Sequence, residues 1–495
     1  MNNHALPSFI VGVAALFAFG ASAAAQPAPP KKAPAGKSAP GAKVFKAGAA
    51  ISNISPQLGG GIVGGWSAPP ANHIHDELHV RCLALDDGTT RLAFAVVDSV
   101  GVSREVFDAA KRLIHAATGL APEHTMMSAT HTHSAVSSGS ASAPASGNPL
   151  GDYRTFLTRR IADGVRRAIN NLEPARIGWG AGQVPQHVFN RRWLLKDGKT
   201  AVNPFGGQDL AVMNPGGRKD LFKPAGPTNP EVYFLSIQST SGRPIALLAN
   251  YWLHYVGGVG ANDISADYFG VFCDRIQQLL GADRQDPPFV GILANGPCGD
   301  VNNNNYTPGA PPGPKYARYE KMRAVANDVA QEVMRVHRTL QHRDWVELGS
   351  AQAEPELQMR HPTPEMVQRA REILARPATV SPGHLREVDY ARRTMAAKDW
   401  PEKVSIVLQT FRLGGLGIAA IPFETFTETG LAIKAKSPFK DTFTIELANG
   451  SNGYLPTPEQ HELGGYETWL GTNRVEKEAT RKIEAKVLEL FARVK

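Results

Sequence analysis

Apolar residues in this chain occur either in short continuous runs or at every third to fourth position. The continuous runs predict buried strands at 91–97, 231–238, 244–250, 289–294, 404–412 and 416–421. Helical spacing predicts a helix from about Val106 to Ala117, stopped by Gly119, and helices at 153–171, 316–339, 363–376, 385–398 and 474–494. Strand and helix alternate early in the chain. This order predicts a mixed α/β fold in which layered β-sheets are flanked by helices.

The first 43 residues differ in composition from the rest of the chain. An apolar run at 8–20 is followed by small residues before Gln26, which predicts a signal peptide at 1–25. Residues 26–43 are rich in Pro, Ala and Lys, so they predict a disordered linker. The folded body is expected at 44–495, with a charged helical excursion near 353–400 that covers a site. These features predict an exported protein, periplasmic or secreted.

Composition narrows the function classes. A chain of 495 residues with 42% hydrophobic residues can bury at least one full core, so it is not a peptide or a disordered tail. The net charge of +8 comes from basic residues spread along the sequence, which argues against a nucleic-acid-binding face. Three cysteines without CxxC spacing cannot form a closed disulfide framework.

Histidines and carboxylates are the main candidates for chemistry. His131 and His133 are separated by one residue, so in an extended segment they could line one wall, as a divalent transition metal requires. A second cluster, His73, His75 and His79, has equal formal quality, and composition alone does not rank the two. Either cluster also fits ordinary surface or capping histidines.

Further polar residues follow predicted strands, where α/β proteins usually place their sites. His254 comes after the strand at 244–250, and Glu424 comes after the strand at 416–421. The loop 295–302, which contains Asp300 and Asn302, has backbone amides suited to an anion, or it is a plain turn. Tyr454 lies in a loop rich in turn-forming residues. Taken one at a time, these residues equally fit capping or packing roles.

Together, the separated motifs resemble the catalytic domain of the neutral/alkaline, non-lysosomal ceramidase family. The resemblance covers roughly residues 45–490 and depends on the order and spread of the motifs. In chain order these are His75-Asp76 with Arg81 and Asp86-Asp87-Gly88; Thr130-His131-Thr132-His133-Ser134; Asn190-Arg191; Asn250 to His254; Gly299-Asp300-Val301; Ile421-Pro422 to Glu424; and Gly453-Tyr454 to Pro458-Glu459.

The resemblance implies a single catalytic Zn²⁺ and hydrolysis of an N-acyl amide by a zinc-activated water. By motif position the zinc ligands are His131, His254, Glu424 and Tyr454. The resemblance also implies, by motif position, that His133, Arg191 and Tyr466 face the scissile amide. Among them, His133 is the expected acid that protonates the leaving amine. Substrate contacts are implied at Asp300 and Asn302.

Two departures from the family pattern bear on the substrate. The residue after Gly-Asp-Val is usually serine in this family, whereas this chain has Asn302. The sequence also stops after its last predicted helix, without the immunoglobulin-like domain that follows in many ceramide-cleaving members. Ceramide or another N-acylated lipid is the expected substrate, with membrane contact only through that lipid and no obligate protein partner. A zinc hydrolase of a smaller polar amide, ester or lactone is the alternative, as is a binding protein without turnover.

Overall fold

The computed structural model describes residues 43–138, 153–284, 286–311, 313–377 and 379–495, all within one compact unit, Lys43–Lys495. An eight-stranded mixed sheet forms the centre. From edge to edge its strands are Val290–Asn295, Pro244–Tyr251, Glu231–Ser239, Glu173–Gln183, Lys46–Asn53, His79–Asp86, Arg91–Val97 and Thr125–Ala129. Both edge strands are parallel to their neighbours, and the inner pairs are antiparallel.

A second sheet of four strands packs against the first. Its strands, in spatial order, are Leu348–Ala353, Leu408–Leu413, Leu416–Ala420 and Asp441–Ile445. Side chains alternate between the two faces of a strand, so Phe94 and Val96 enter the core between the sheets while Ala95 and Val97 face the helices. The rings of Phe94 and Phe411 meet across this core at 5.2 Å. The interior is therefore a sheet-on-sheet core with helices outside it.

Nine α-helices occur in the described residues. They are α1 (Arg104–Thr118), α2 (Tyr153–Asn170), α3 (Asp267–Leu280), α4 (Glu320–His337), α5 (Pro364–Ala375), α6 (Glu387–Ala397), α7 (Thr427–Lys436), α8 (Pro458–Leu463) and α9 (Ala479–Val494). Helices α1 to α4 cover the outer face of the large sheet, and α7 and α9 cover the outer face of the small one. No helix in the described part of the chain is long and apolar enough to cross a membrane.

Short strands pair with one another within the connecting loops. They are Ile62–Val63, His73–Ile74, Ala135–Val136, Phe189–Asn190, Arg192–Leu195, Ala201–Val202, Gln208–Asp209, Ala211–Met213, Leu221–Pro224, Asp263–Ile264, Val301–Asn302, Glu356–Gln358, Lys403–Ser405, Glu424–Thr425 and Tyr454–Leu455. The predicted strand 404–412 is thus two strands, Lys403–Ser405 and Leu408–Leu413. The predicted signal peptide, and the linker up to residue 42, lie outside the described residues.

The predicted layered α/β fold is confirmed, although several elements were missed. The strand Glu173–Gln183 has glycine at three alternate positions, a composition more typical of loops. A Cβ atom at Gly180 would lie 2.9 Å from Val336, and one at Gly182 would lie 2.5 Å from Glu332, both on α4. Glycine therefore allows α4 to pack directly on the strand.

The two edges of the large sheet come together at one end. The side chain of Asn295, the last residue of one edge strand, donates a hydrogen bond to the Thr130 carbonyl beyond the other edge strand, at 2.8 Å. The segment 446–449 joins the same edges, because Glu446 N donates to the Asn295 carbonyl and Asn449 N to the Met127 carbonyl. Residues that are distant in sequence therefore meet at this closure.

Candidate metal centre and active site

His131 lies just beyond the edge strand Thr125–Ala129, at this closure. Its backbone has a φ of 68°, the left-handed region that a β-branched or bulky residue rarely adopts. Its Nδ1 donates a hydrogen bond to the Val100 carbonyl at 2.6 Å, so in the neutral ring Nε2 carries the lone pair. Strain of this kind persists where the surroundings fix a functional side chain.

His254 approaches from the opposite edge, after the strand Pro244–Tyr251. Its Nδ1 donates to the Cys298 carbonyl at 3.0 Å, which again leaves the lone pair on Nε2. The Nε2 atoms of His131 and His254 lie 3.0 Å apart. Two lone pairs that face each other at this distance repel unless a proton or a cation lies between them, so the geometry favours a positive charge there.

Glu424 supplies a carboxylate to the same point. The short strand Glu424–Thr425 pairs in parallel with Tyr454–Leu455, so Glu424 lies beside Tyr454. Its Oε2 is 3.2 Å from His131 Nε2 and 3.6 Å from His254 Nε2. Tetrahedral ligands at about 2.0–2.1 Å from Zn²⁺ lie about 3.3 Å from one another, so these three atoms fit a zinc site.

The local electrostatics agree with a cation site. Burial opposes protonation of His131, but the Glu424 carboxylate outweighs burial and raises the pKa of His131 above its ordinary value. Burial lowers the pKa of His254 well below its ordinary value, and the nearby Arg191 lowers it further. Burial would raise the pKa of Glu424, yet its contacts with His131 and Tyr454 lower it. The Glu424 carboxylate therefore favours a positive charge at this point.

His133 is the third imidazole at this point. Its Nε2 lies 3.1 Å from His131 Nε2, and its ring stacks on Tyr255 with a centroid separation of 3.7 Å. Burial lowers the pKa of His133 well below its ordinary value. A Cβ atom at Gly64, whose φ is +109°, would lie 2.6 Å from this ring, so only glycine allows the close approach. His131, His133 and His254 form a buried group that could hold a metal ion.

Tyr454, Tyr466 and Arg191 surround the candidate metal position. The rings of Tyr454 and Tyr466 meet edge to face at 5.6 Å, and the Arg191 guanidinium lies 5.2 Å from the centroid of the Tyr454 ring. Arg191 Nε donates to Glu467 Oε1 at 2.9 Å. Its Nη2 is buried and has no hydrogen-bond partner among the described residues. A cationic N–H beside the candidate metal position is suited to an oxygen that gains negative charge.

Asp300 and Asn302 are placed differently from the other predicted site residues. The Asp300 carboxylate is fully buried, with Oδ1 accepting from Thr427 N at 2.9 Å and Oδ2 accepting from Asn190 Nδ2 at 2.8 Å. Asn302 Nδ2 donates to Asn214 Oδ1 at 2.7 Å. The structure thus gives Asp300 a supporting position behind Asn190 and α7. Substrate contact by these two residues stays a prediction.

The second histidine cluster does not converge. His73 has a 63% exposed side chain and lies 3.6 Å from an Asp263 oxygen, while His79 lies 3.6 Å from an oxygen of Glu77. His75 stacks on Tyr319 at 3.6 Å instead of facing His73. The sequence left the two histidine clusters equal, and the structure favours His131 and His133 as the candidate metal site.

Two buried glutamates at the site were not singled out from the sequence. Glu446 accepts hydrogen bonds from Thr425 N at 2.7 Å and from the Cys298 thiol at 3.0 Å, and burial raises its pKa to about 8. Glu467 binds both Arg191 and Arg192. Glu446 directly follows the strand Asp441–Ile445, so the strand-end pattern used for Glu424 could have found it.

Two cavities meet at the site. One, of about 300 Å³, is lined by Glu424, Tyr454 and Tyr466 together with residues of α6 and of the loop before α9. The other, of about 610 Å³, has Trp66, Tyr466 and Trp469 in its wall. Tyr466 lines both cavities, and Glu424 lines the smaller one.

Comparison with known proteins supports the fold. The chain is similar to the solved structure of a neutral ceramidase from Pseudomonas aeruginosa, with a TM-score of 0.67 and 17% identity, covering 91% of this chain and 74% of that one. A solved structure of a ceramidase complexed with C2 gives a TM-score of 0.66 at 17% identity, covering 91% and 75%. No protein-family profile and no curated protein matches the sequence. The predicted ceramidase-like fold is confirmed by this likeness.

Proposed function

We propose that this protein is a zinc-dependent amidohydrolase that cleaves an N-acyl amide bond of an N-acylated lipid, ceramide being the first candidate. The observation that carries the proposal is the convergence of His131 Nε2, His254 Nε2 and Glu424 Oε2 at 3.0–3.6 Å on a ceramidase-like fold. Tyr454, beside Glu424, is the proposed fourth ligand. This set suits Zn²⁺, which prefers nitrogen and oxygen ligands in tetrahedral geometry.

A bound Zn²⁺ would lower the pKa of a coordinated water toward about 7 and polarise the substrate carbonyl. The remaining steps belong to side chains of this chain. Arg191, held by Glu467, is the proposed donor to the carbonyl oxygen as negative charge develops there, and Tyr466, in the wall of the smaller cavity beside Tyr454, is a second proposed donor. His133 has a lowered pKa and is therefore neutral. It takes up the proton that the attacking water releases and delivers it to the leaving amine.

The direct test measures metal content and hydrolysis together. Purified protein is loaded with one equivalent of zinc and incubated with a fluorescent short-chain ceramide. We expect release of the labelled fatty acid by the zinc-loaded protein and none after chelation, with recovery when zinc is restored. Glu424→Ala should lose both zinc and hydrolysis. Zinc binding without cleavage of any N-acyl amide would instead favour a binding protein that retains the fold.

Export belongs to the same proposal. The apolar run at 8–20 and the small residues before Gln26 support removal of residues 1–25 as a signal peptide and delivery to the periplasm or the medium. The linker at 26–43 then precedes the zinc hydrolase domain at 44–495. Mass determination of the mature protein tests this: the expected chain begins at Gln26, and a cell-associated chain that retains Met1 would contradict it.

A further inference from the structure

The smaller cavity at the candidate metal centre has two arginines in its wall. Arg393, on α6, and Arg474, before α9, line the same cavity of about 300 Å³ as Glu424 and Tyr454. Trp400 completes that side of the cavity. Both arginines therefore share a cavity with the proposed metal ligands Glu424 and Tyr454.

Neither arginine has a carboxylate partner among the described residues. Arg393 donates only to neutral oxygens, the hydroxyls of Tyr390 and Thr472, each at 3.3 Å. Arg474 has only the ring of Trp400 as a cationic contact, at 6.0 Å. Burial lowers the pKa of Arg474, repulsion from Arg393 lowers it further, and attraction to the Glu424 carboxylate opposes both.

The larger cavity provides the contrast within the same molecule. Its arginines are compensated, because Arg218 pairs with Asp220 at 2.7 Å and Arg386 pairs with Asp389 at 3.4 Å. Much of its remaining wall is apolar or aromatic, with Trp66, Val202, Val212, Met213, Leu385 and Trp469. That cavity suits an acyl chain, whereas the smaller one suits a compact polar group.

The charge near the smaller cavity is not otherwise balanced. Glu424 is the acidic group in its wall, and its carboxylate already faces His131 and His254. The nearby Glu467 pairs with Arg191 and Arg192. Two neighbouring cations without carboxylate partners at hydrogen-bond distance create a positive potential that attracts an anionic ligand.

We propose that the substrate carries an anionic group, a carboxylate or a sulfonate, on the amine side of its N-acyl bond, and that Arg393 and Arg474 bind it. Guanidinium forks match the planar oxygens of a carboxylate and also accept a sulfonate. The acyl chain then extends past Tyr466 into the larger cavity. This inference rests on the proposed amidohydrolase function and narrows its preferred substrates from N-acylated lipids in general to those with an anionic group on the amine side.

The test compares amides that differ only in head-group charge. Zinc-loaded protein is given N-dodecanoylglycine, N-dodecanoyltaurine and the neutral N-dodecanoylethanolamine, and released dodecanoic acid is measured. We expect kcat/KM for at least one anionic amide to exceed that for the neutral amide by at least tenfold. Whichever of the glycine and taurine conjugates reacts faster identifies the anion as a carboxylate or a sulfonate.

Variants assign the preference to the two arginines. Arg393→Gln and Arg474→Gln should each lower kcat/KM for the anionic amide by about tenfold, mainly through KM, and change the neutral amide less than twofold. Arg393→Lys, which keeps the charge, should retain part of the preference. The matched control is Arg392→Gln, the exposed neighbour on α6, which should behave like wild type.

Binding to the metal-free protein, measured by calorimetry, separates the two proposals. Tighter binding of N-dodecanoylglycine than of N-dodecanoylethanolamine, lost in Arg474→Gln, supports the anion site even if no amide is cleaved, and in that case only the hydrolase proposal fails. Equal binding and equal cleavage of charged and neutral amides would overturn the anion site and leave the hydrolase intact.

Discussion

Replacing His254 with alanine is expected to abolish zinc binding and to lower amide hydrolysis by at least about 10³-fold. The imidazole supplies one of three atoms that converge on the candidate metal position, and its Nε2 is 3.0 Å from His131 Nε2. Without it, the proposed ligand set retains a single imidazole, that of His131, beside Glu424 and Tyr454, and we expect this set to be too weak to hold Zn²⁺. A zinc ion contributes several kcal/mol to such a reaction, and about 4 kcal/mol corresponds to a 10³-fold change in rate.

Two further variants control for folding and for histidine loss in general. His254 also donates to the Cys298 carbonyl, so alanine could disturb the fold around it. Glu424→Gln has almost the same shape and removes only the charge, so it should lose zinc while melting close to wild type. His73→Ala removes a largely exposed histidine of the second cluster and should keep one zinc per chain. Full zinc binding by the His254 variant would refute the assigned ligand set.

Arg191→Met is expected to lower kcat by about 10²–10³-fold while zinc content stays at wild-type level. The removed group is the buried guanidinium whose Nη2 has no hydrogen-bond partner among the described residues. Loss of one donor to a developing oxyanion typically costs about 2.7–4 kcal/mol. Because the interaction forms mainly in the transition state, KM should change much less than kcat.

The neighbouring Arg192 provides a matched control for this prediction. Arg192 Nη1 donates to the other oxygen of Glu467 at 2.7 Å, but its Nη2 donates to the Gly464 carbonyl instead of facing the cavity. Removing either arginine breaks one ion pair with the buried Glu467. Arg191→Met and the control Arg192→Met should therefore both lose thermal stability. Only the Arg191 variant should lose kcat per folded molecule. Equal losses in both would show that Arg191 acts solely through the fold.

The sequence predicted the elements whose burial leaves a clear apolar pattern. The strand Arg91–Val97 is a continuous apolar run, buried on both faces, and the helix Ala479–Val494 has one apolar, buried face. Helix α7 was missed because its apolar and polar residues do not lie on separate sides of the helix. One of its buried positions is Gly430, where a Cβ atom would lie within 2.8 Å of the Trp252 ring. The glycine-rich strand Glu173–Gln183 was missed because close packing on α4 requires the absence of side chains there.

The site was predictable as a set of residues but not as a geometry. Its separate motifs identified His131, His254 and Glu424 by resemblance, whereas their meeting depends on the two sheet edges closing through Asn295 and the segment 446–449. No local pattern encodes that closure. For the same reason His73 and His75 looked equivalent to the metal-site pair until their neighbours Asp263 and Tyr319 were known.

The X-ray absorption spectrum of zinc in protein reconstituted with one equivalent of the metal tests the central claim most directly. The geometry predicts a first shell of nitrogen and oxygen at about 2.0–2.2 Å, with outer-shell scattering from two or three imidazole rings and no sulfur. A first shell without imidazole scattering, or with sulfur at about 2.3 Å as a Cys298 ligand would give, would contradict a zinc site built from His131, His254 and Glu424.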